Sequence, residues 1–414
     1  MGKTLAEKIL GNKSGADAKA GDIIIAPLDL VFAHDVSAPL AIRRFREGGL
    51  GRPANPGATV FFIDHCVPSP RPELSNDQIF VRDFAREHGC VLYQMNDGIC
   101  HQLVVEDWAN PGDVICGGDS HTVTAGALSA FACGMGSTDI AVSMGLGRTW
   151  LRVPEAILIK LSGKFPPGVY AKDLALHVIG LLGADGATYK SLEFGGDTLG
   201  TMTISQRSTV ANMSIEAGAK VGLFPADEIT RDYLEVQGRG DRYQPLSPDP
   251  DAVYERIIEV DASKLVPVVA KPHLVDNVAP VSDVAGTKID QVFIGSCTNA
   301  RLEDLAIVAG ILDGKKCHPQ TRLIISPASR TVYLEAIRKG YIETFINAGA
   351  VVINPGCAVC GGVHEGVLGN SEACLSTTNR NFKGRMGNPE AFVYLASPAT
   401  AATSAITGEI TSPE

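Results

Sequence analysis

The chain has 414 residues, of which 45% are hydrophobic and 20% are charged, and its formal net charge at pH 7 is −10. One hydrophobic core rarely organises this length, so two or three domains are expected. The negative charge argues against nucleic acid or an anionic membrane as the main partner. Ten cysteines without a secretory leader pattern do not indicate a disulfide framework, so we expect a cytoplasmic protein.

Two stretches in the first third of the chain are predicted helices, and neither is typical of a membrane segment. The N-terminal "MGKTLAEKILGNKSG" predicts a short amphipathic helix that ends in a turn. Residues 122–138, "TVTAGALSAFACGMGST", are uncharged but consist mainly of small residues rather than Leu and Ile. That composition predicts a tightly packed internal helix rather than a membrane span.

Six short apolar runs end abruptly in loops of glycine and reactive side chains. The runs are "ATVFFI", "GDVIC", "DQVFI", "TRLIIS", "AVVI" and "EACLSTT". Strands, loops and helices in alternation are typical of α/β units with a parallel sheet. Ligands of such sheets bind beyond the carboxyl ends of the strands, so the six loops are predicted to form one site. A loop of this kind can also serve only to cap the next helix.

The spacing of apolar residues in "NARLEDLAIVAGILDG" predicts a helix that is capped by Asn299 and ends at Gly314. The Pro- and Gly-rich "EVQGRGDRYQPLSPDPDAVYE" predicts a surface excursion. Boundaries near residues 155 and 280 divide the chain into three segments. They are residues 1–154, 155–280 and 281–414, and the last carries the cysteines discussed next.

A single C-x-x-C pair, Cys357 and Cys360, follows the run "AVVI". Such a pair can be half of a zinc site, a redox pair or part of an iron–sulfur site. A four-thiolate zinc site would need a second close pair, and no other C-x-x-C occurs in the sequence. Cys297 is the natural third ligand because it lies in another loop of the same domain. Three thiolates without a fourth would leave one iron of a [4Fe–4S] cluster open to water or substrate.

These motifs have a counterpart in a known family. "IGSCTNARLEDL", "NPGCAVCGG", "CLSTTNRNFKGRMGNPEAFVYLASPATAA", "IDHCVP", "ICHQLVVEDWANPGDVICGGDSHT" and "NMSIEAGA" resemble the aconitase superfamily, in particular its isopropylmalate dehydratase large subunits. The resemblance runs almost the whole chain in one order. It implies three α/β domains of the aconitase type, without the swivel domain, around a [4Fe–4S] cluster held by Cys297, Cys357 and Cys360. The remaining seven cysteines are expected to be structural.

The resemblance implies a reversible dehydration of a hydroxy di- or tricarboxylic acid, most specifically 2- or 3-isopropylmalate of leucine biosynthesis. His65, oriented by Asp64, corresponds to the proton donor to the leaving hydroxyl. Further catalytic positions implied by the family motifs are His101, Asp119, Ser120, His121 and Glu216. The implied substrate-binding positions are Arg380, Arg385, Asn212, Asn379 and Asn299.

Some of these residue types also have the physical properties that the implied reaction requires. Guanidinium groups such as Arg380 and Arg385 bind carboxylates bidentately, which a polyacid substrate requires. Asn212 and Glu216 are four apart in a predicted helix and therefore share one face. Without the resemblance, the histidines would be ordinary loop residues and the arginines surface ion-pair partners.

Two departures from the single-chain aconitases bear on substrate and partner. Their active-site glutamine in the N-terminal loop corresponds to Pro39 in "HDVSAPLA", which favours the isopropylmalate-type relatives over citrate. The chain also ends at "GEITSPE", where aconitases continue into a fourth, swivelling domain. We therefore expect a separate small subunit that supplies the serine base and substrate selectivity.

Other functions stay open at this stage. Homoaconitase or dimethylmalate dehydratase activity lies in the same class, because the discriminating groups would belong to the small subunit. An RNA-binding regulatory protein would show salt-dependent RNA binding, against which the acidic balance argues. An electron-transfer protein would need a fourth cluster cysteine, and a structural zinc module would contain zinc without sulfide.

Overall fold

The computed structural model of the protein describes residues 2–413. Its α-helices are α1 (Leu5–Ser14), α2 (Ala38–Glu47), α3 (Pro72–His88), α4 (Cys100–Leu103), α5 (Ser137–Leu146), α6 (Ala171–Leu182), α7 (Ile204–Met213), α8 (Glu228–Val236), α9 (Leu302–Leu312), α10 (Arg330–Arg338), α11 (Tyr341–Ala348) and α12 (Pro398–Thr407). Its strands are β1 (Ile23–Pro27), β2 (Leu30–His34), β3 (Thr59–Phe62), β4 (Val91–Tyr93), β5 (Val114–Gly117), β6 (Phe131–Gly134), β7 (Arg148–Arg152), β8 (Ala156–Ser162), β9 (Ser191–Gly196), β10 (Val221–Leu223), β11 (Arg256–Asp261), β12 (Val268–Ala270), β13 (Val278–Pro280), β14 (Gln291–Ile294), β15 (Arg322–Ile325), β16 (Val351–Val352), β17 (Ala373–Ser376) and β18 (Phe392–Leu395).

The first sheet is parallel, with strand order β4-β3-β2-β5-β6. Every residue of β2, β3 and β5 is buried, as expected for parallel strands with both faces covered. Strand β2 is central and lies between β3 and β5. The loops that follow these three strands therefore leave the sheet side by side. An antiparallel ribbon of β1 and β7 accompanies this sheet.

Two further sheets complete the α/β architecture. Strands β8 to β11 form a parallel sheet in the order β10-β9-β8-β11. The third sheet has the order β13-β12-β18-β17-β14-β15-β16, and its strands β14 to β18 are parallel, whereas β12 pairs antiparallel with both neighbours. The predicted α/β class is confirmed, and each of the six apolar runs contains a strand that pairs in parallel with its neighbours: β3, β5, β14, β15, β16 and β17.

Residues 122–138 were predicted to form one internal helix, and this prediction is wrong. The segment continues a 3₁₀ stretch over Ser120–Leu128, forms strand β6 and then enters α5. Small residues pack tightly in any of these forms, so their composition did not select the helix. None of the helices in residues 2–413 combines the length and apolar character that crossing a membrane requires.

The turn predicted to end α1 and the glycine predicted to end α9 are present, whereas the predicted N-terminal cap of α9 is wrong. α1 has the predicted turn at its end, with Gly15 in the left-handed conformation (φ 69°), and its N-terminus has a Thr4–Glu7 capping box. α9 begins after Arg301, not after the predicted cap Asn299. Its C-terminal cap is Asp313, and Gly314 follows in the left-handed conformation (φ 67°), as predicted for the glycine that ends the helix.

The three domain ranges, 1–154, 155–280 and 281–414, stay a prediction. Residues 1 and 414 lie outside the described residues. The three sheets take their strands from successive parts of the chain, and strands β12 and β13, which precede residue 281, pair with the third sheet.

Candidate active site

The polar loops at the carboxyl ends of the strands meet between the first and third sheets. The main-chain N–H of Cys357, after β16, donates to the carbonyl of Asp64, after β3 (3.0 Å). A second contact joins Gly98 and Ser329 in an isolated bridge. The side chain of Asn212, at the end of α7, reaches Cys297 after β14 (3.2 Å). Loops from distant parts of the chain therefore line one buried region, as the strand ends predicted.

Three buried thiols face this region, and amide and guanidinium groups contact two of them. Nδ2 of Asn379 lies 3.5 Å from Sγ of Cys297, and its Oδ1 lies 3.8 Å from Sγ of Cys360. One amide thus spans the gap between the Cys297 loop and the C-x-x-C loop. Arg385 donates to Sγ of Cys360 (3.6 Å). A hydrogen bond from Cys357 and the nearby Arg385 hold the pKa of the Cys360 thiol well below its ordinary value.

The chemistry of these residues fits an iron–sulfur cluster. Three buried thiols can bind three irons of such a cluster, and the amides of Asn212 and Asn379 can donate to sulfur. In the described part of the chain, the three sulfurs do not form a set within 4.8 Å of one another, as ligands of one ion would. Nδ1 of His101 and Nε of Arg385 are buried without a hydrogen-bond partner in the structure. The unpaired Nε–H of Arg385 can donate to a sulfur of a bound cluster, whereas Nδ1 of His101 is an unpaired acceptor, because Nε2 carries the ring proton that faces Asp119.

Two compact sets of possible ligands for a single ion occur among the described residues: one consists of His34, Asp35, Asp64 and His65, and the other includes Cys297. Ligand atoms of His101, His121 and Cys297 lie within 4.8 Å of one another. However, Nε2 of His101 is 2.8 Å from Asp119, and Nε2 of His121 is 2.8 Å from Glu216. Both imidazoles are therefore engaged by carboxylates on one side, and analysis for iron and sulfide separates a cluster from a single ion.

The His65–Asp64 pair is formed as predicted. Nδ1 of His65 lies 2.9 Å from Oδ1 of Asp64, whose Oδ2 accepts from the N–H of Cys100 (2.7 Å). Burial lowers the pKa of His65, but Asp64, followed by Asp119 and Asp35, outweighs burial and raises it to about 9. Burial raises the pKa of Asp64, but His65 outweighs it and lowers the value to about 2. His65 is therefore a cation at neutral pH and can donate a proton from Nε2.

Asp119 lies at the centre of several imidazoles. Its Oδ1 is 2.8 Å from Nε2 of His101 and accepts the main-chain N–H of His121 (2.7 Å). Its Oδ2 lies 3.6 Å from Nε2 of His34 and 4.0 Å from Nε2 of His65. Burial disfavours the charged carboxylate, yet His101 and the other imidazoles hold the pKa of Asp119 well below its ordinary value. This carboxylate can orient the imidazoles around the site.

Glu216 links His121, which follows β5 of the first sheet, to Arg380, which follows β17 of the third sheet. Its Oε1 lies 2.8 Å from Nε2 of His121, and both oxygens accept from Nε of Arg380 (2.8 and 3.0 Å). The helical stretch was predicted to include both Asn212 and Glu216, but α7 ends at Met213 and Glu216 lies in the 3₁₀ turn Ser214–Ala217. Both side chains nevertheless face the site.

The remaining predicted residues differ in position. Ser120 Oγ lies 3.5 Å from Nδ1 of His121, at the edge of the site. Asn299 lies behind the Cys297 loop, where it donates to Asp304 (2.9 Å) and Thr209 (3.3 Å). Its predicted role in substrate binding stays a prediction, and its observed contacts are structural.

Sequence reasoning missed residues that hold the site from behind. Nζ of Lys172 is fully buried and donates to the carbonyls of Thr377 (2.7 Å) and Thr378 (2.5 Å), directly before Asn379. Burial lowers the pKa of Lys172 to about 7. The ring of His34 stacks on that of His65. The sequence motifs gave neither residue a role, because their contacts span more than 25 positions of the chain.

Replacing Asp64 with asparagine is expected to remove the charge that keeps His65 protonated. The pKa of His65 should then fall from about 9 towards its ordinary 6.5, so activity that needs the protonated ring should be lost at lower pH. At pH 8 the turnover should fall about 10²-fold or more. A pH profile of kcat for Asp64→Asn and the unchanged enzyme measures both effects. If the pH at which kcat falls on the alkaline side is the same in both enzymes, the assignment of protonated His65 as the acid is contradicted.

The same pair stabilises the fold over a defined pH range. The pKa of His65 is raised from 6.5 to about 9, so its contribution is complete below 6.5 and is lost as pH rises through about 9. The pKa of Asp64 is lowered from 3.8 to about 2, so its contribution is present above 3.8 and is lost as pH falls through about 2.

Comparisons with known proteins identify the family of the chain. The model of the aconitase family (aconitate hydratase) matches residues 7–288 and 280–408. Two relatives are the 3-isopropylmalate dehydratase large subunit of Elusimicrobium minutum and the 3-isopropylmalate dehydratase large subunit 1 of Thermotoga maritima. Each is 54% identical, and each alignment covers all of this chain and 99% of the relative.

A solved structure is similar in fold. The crystal structure of Thermococcus kodakaraensis aconitase X (holo-form) has a TM-score of 0.50 and 15% sequence identity, and the match covers 91% of this chain and 88% of that chain. At this identity the likeness concerns the fold alone. From the family model and the full-length relatives together, the chain belongs to the aconitase family, in the group of 3-isopropylmalate dehydratase large subunits.

Proposed function

We propose that this chain is the catalytic large subunit of a hydro-lyase that interconverts 2- and 3-isopropylmalate by dehydration and rehydration, a step of leucine biosynthesis. The observation that carries the proposal is the 54% identity, over the full length, to relatives named 3-isopropylmalate dehydratase large subunit. The site adds the groups that such a reaction requires: a protonated imidazole, buried thiols and guanidinium groups.

The proton donor in this proposal is His65. In dehydration, the hydroxyl leaves as water with the proton from Nε2 of His65, and a base removes the proton from the neighbouring carbon. In rehydration the same steps run in reverse. Asp64 holds the imidazole by its Nδ1, so the opposite nitrogen is free to face the substrate.

Substrate carboxylates would bind near the two arginines. Nε of Arg385 is buried without a partner in the structure, and its guanidinium already contacts Cys360. Arg380 is held by Glu216, so its fork has a fixed orientation before any substrate arrives. A fixed guanidinium loses less side-chain entropy when it binds a carboxylate.

Cys297, Cys357 and Cys360 would hold a [4Fe–4S] cluster, with Asn379 and Asn212 donating to the sulfurs. When bound, such a cluster supplies an iron without a fourth protein thiolate, which can act as a Lewis acid towards the hydroxy acid. The proposed cytoplasmic location suits this group, because reducing conditions preserve thiolate ligands.

The proposal includes a small swivel-domain subunit as partner. The relatives' names, "large subunit", support a second chain. The small subunit would supply the serine base and most of the contacts that select the substrate's side chain. Nucleic acid and membranes are not among the proposed partners.

The test is an anaerobic assay of the chain co-expressed with its small subunit on isopropylmalate, homocitrate, dimethylmalate and citrate. We expect kcat/KM to be highest for isopropylmalate, and the formation of the unsaturated acid can be followed by absorbance. A missing methylene in an apolar pocket typically changes kcat/KM by about 10–200-fold. Preference for homocitrate or dimethylmalate would assign the alternative enzymes of the same class, and no turnover of any acid would refute the proposal.

A further inference from the structure

His34 lies against the proton donor, although no motif of the sequence singled it out. It is the last residue of the central strand β2, and its ring is buried. The ring stacks on that of His65, with centroids 3.7 Å apart and planes inclined by 13°. Since β2 lies between β3 and β5, its end falls between the loops that carry His65 and Asp119.

The hydrogen bonds of His34 fix its tautomer. The main-chain N–H of Val36 donates to Nδ1 of His34 (3.2 Å), so this nitrogen is an acceptor. The ring proton is therefore on Nε2, which faces Oδ2 of Asp119 at 3.6 Å. A ring with one proton can lie flat against an imidazolium, whereas two imidazolium rings at this distance would repel each other.

The neighbouring Asp35 holds the main chain of the same residue. Its Oδ1 accepts the N–H of His65 (2.9 Å), and its Oδ2 accepts the N–H of Cys66 (3.0 Å). Thus Asp35 fixes the backbone of His65, Asp64 fixes its Nδ1, and His34 covers one face of its ring. An aromatic face also stabilises a cation placed over it.

We propose that His34 is a positioning residue for His65: its ring face sets the plane of the His65 imidazole, so that Nε2 points at the hydroxyl of the substrate. This inference rests on the proposed function, because it assumes that the substrate is a hydroxy acid whose hydroxyl His65 protonates. The charged groups that face His65 are Asp64, Asp119 and Asp35, and His364 contacts its main-chain oxygen (3.1 Å).

Three variants separate the effect of the His34 ring face from the effects of its hydrogen bonds. His34→Phe keeps an aromatic face and loses both nitrogens. His34→Leu loses the face and both nitrogens, so these two variants lack the Asp119 contact equally. His34→Asn loses the face but can still accept from Val36 through its amide oxygen, and it serves as a second ring-free variant should the leucine variant fold poorly.

Kinetics of the complex with the small subunit provide the first measurement. In the leucine and asparagine variants, kcat should fall about 10–10²-fold, as expected for a misplaced reacting group, while KM changes much less. The alkaline limb of their kcat profile should move to lower pH, because the His65 cation loses its aromatic neighbour. The phenylalanine variant should stay close to the unchanged enzyme in both respects.

Chemical labelling provides a measurement that does not need activity. Diethyl pyrocarbonate modifies only the unprotonated imidazole, and mass spectrometry of the peptide that contains His65 gives its rate at pH 7. We expect faster modification in His34→Leu and His34→Asn than in His34→Phe and the unchanged protein.

The proposal is overturned if His34→Leu and His34→Phe have the same kcat, the same pH at the alkaline fall of kcat and the same labelling rate. This holds whether both variants resemble the unsubstituted enzyme or both are impaired. If the enzyme without substitutions has no activity on any hydroxy acid, that result contradicts the proposed function instead. The labelling rates would then still decide the role of His34.

Discussion

We expect each of the substitutions Cys297→Ser, Cys357→Ser and Cys360→Ser to abolish cluster binding and dehydratase activity. Each thiol lies in a loop at the shared edge of the third sheet, and the three together form the only proposed ligand set among the described residues. Loss of an outer-shell partner typically costs 10–100-fold in metal affinity or activity. Loss of a thiolate that binds iron directly should cost more than about 100-fold. Iron and sulfide content and kcat/KM measure the two effects separately.

Cys374→Ser is the matched control for these variants. Cys374 is buried on β17 of the same sheet, and its sulfur lies near Gln291 rather than at the site. The serine variant should lose some stability, since a buried hydroxyl needs a partner, but should keep the full cluster. Full cluster content in any of the three site variants, or its loss in Cys374→Ser, would contradict the proposed ligand set.

The second large effect concerns the partner. Purified without a small subunit and supplied anaerobically with iron and sulfide, the chain should assemble its cluster but dehydrate isopropylmalate at least about 10²–10⁴-fold more slowly than the complex. The reason is that the proposed base, which removes the carbon-bound proton, belongs to the small subunit. Titration with purified small subunit should restore activity until the two chains are equimolar.

A small subunit whose base serine is replaced by alanine controls for mere assembly. It should bind the chain and leave the rate low. Full turnover by the chain alone would refute the need for a partner. If the alanine variant restores the rate, the small subunit does not act by supplying the base.

The strands could be predicted because their sequences leave few alternatives. Runs such as "ATVFFI" and "DQVFI" are apolar and rich in β-branched or aromatic residues, and polar loops follow them at once. Residues 122–138 could not be assigned in the same way. Gly, Ala, Ser and Thr fit a 3₁₀ stretch, a strand and a helix alike, so only the surrounding packing decided among them.

The site was predictable to the extent that its residues follow strand ends or belong to family motifs. Asp64, His65, Asp119 and the three cysteines are all in such loops, and the structure brings the loops together. The assignment of their roles stays a proposal. Lys172 was not predicted, since it acts through a contact with Thr377, 205 positions away.

His34 illustrates the same limit. It lies in the quoted motif "HDVSAPLA", yet only the three-dimensional order β3-β2-β5 shows that its ring meets His65. Asn299 shows the reverse case. The family motifs implied a substrate-binding role for Asn299, but its amide turns towards Asp304 behind the Cys297 loop.

The most direct test of the central claim is electron paramagnetic resonance of the complex, purified without air and reduced, before and after addition of isopropylmalate. We expect about four iron and four sulfide per large subunit, and a cluster spectrum that changes when the hydroxy acid is added. Zinc or a single ion without sulfide, or a cluster spectrum that the substrate leaves unchanged, would contradict the account.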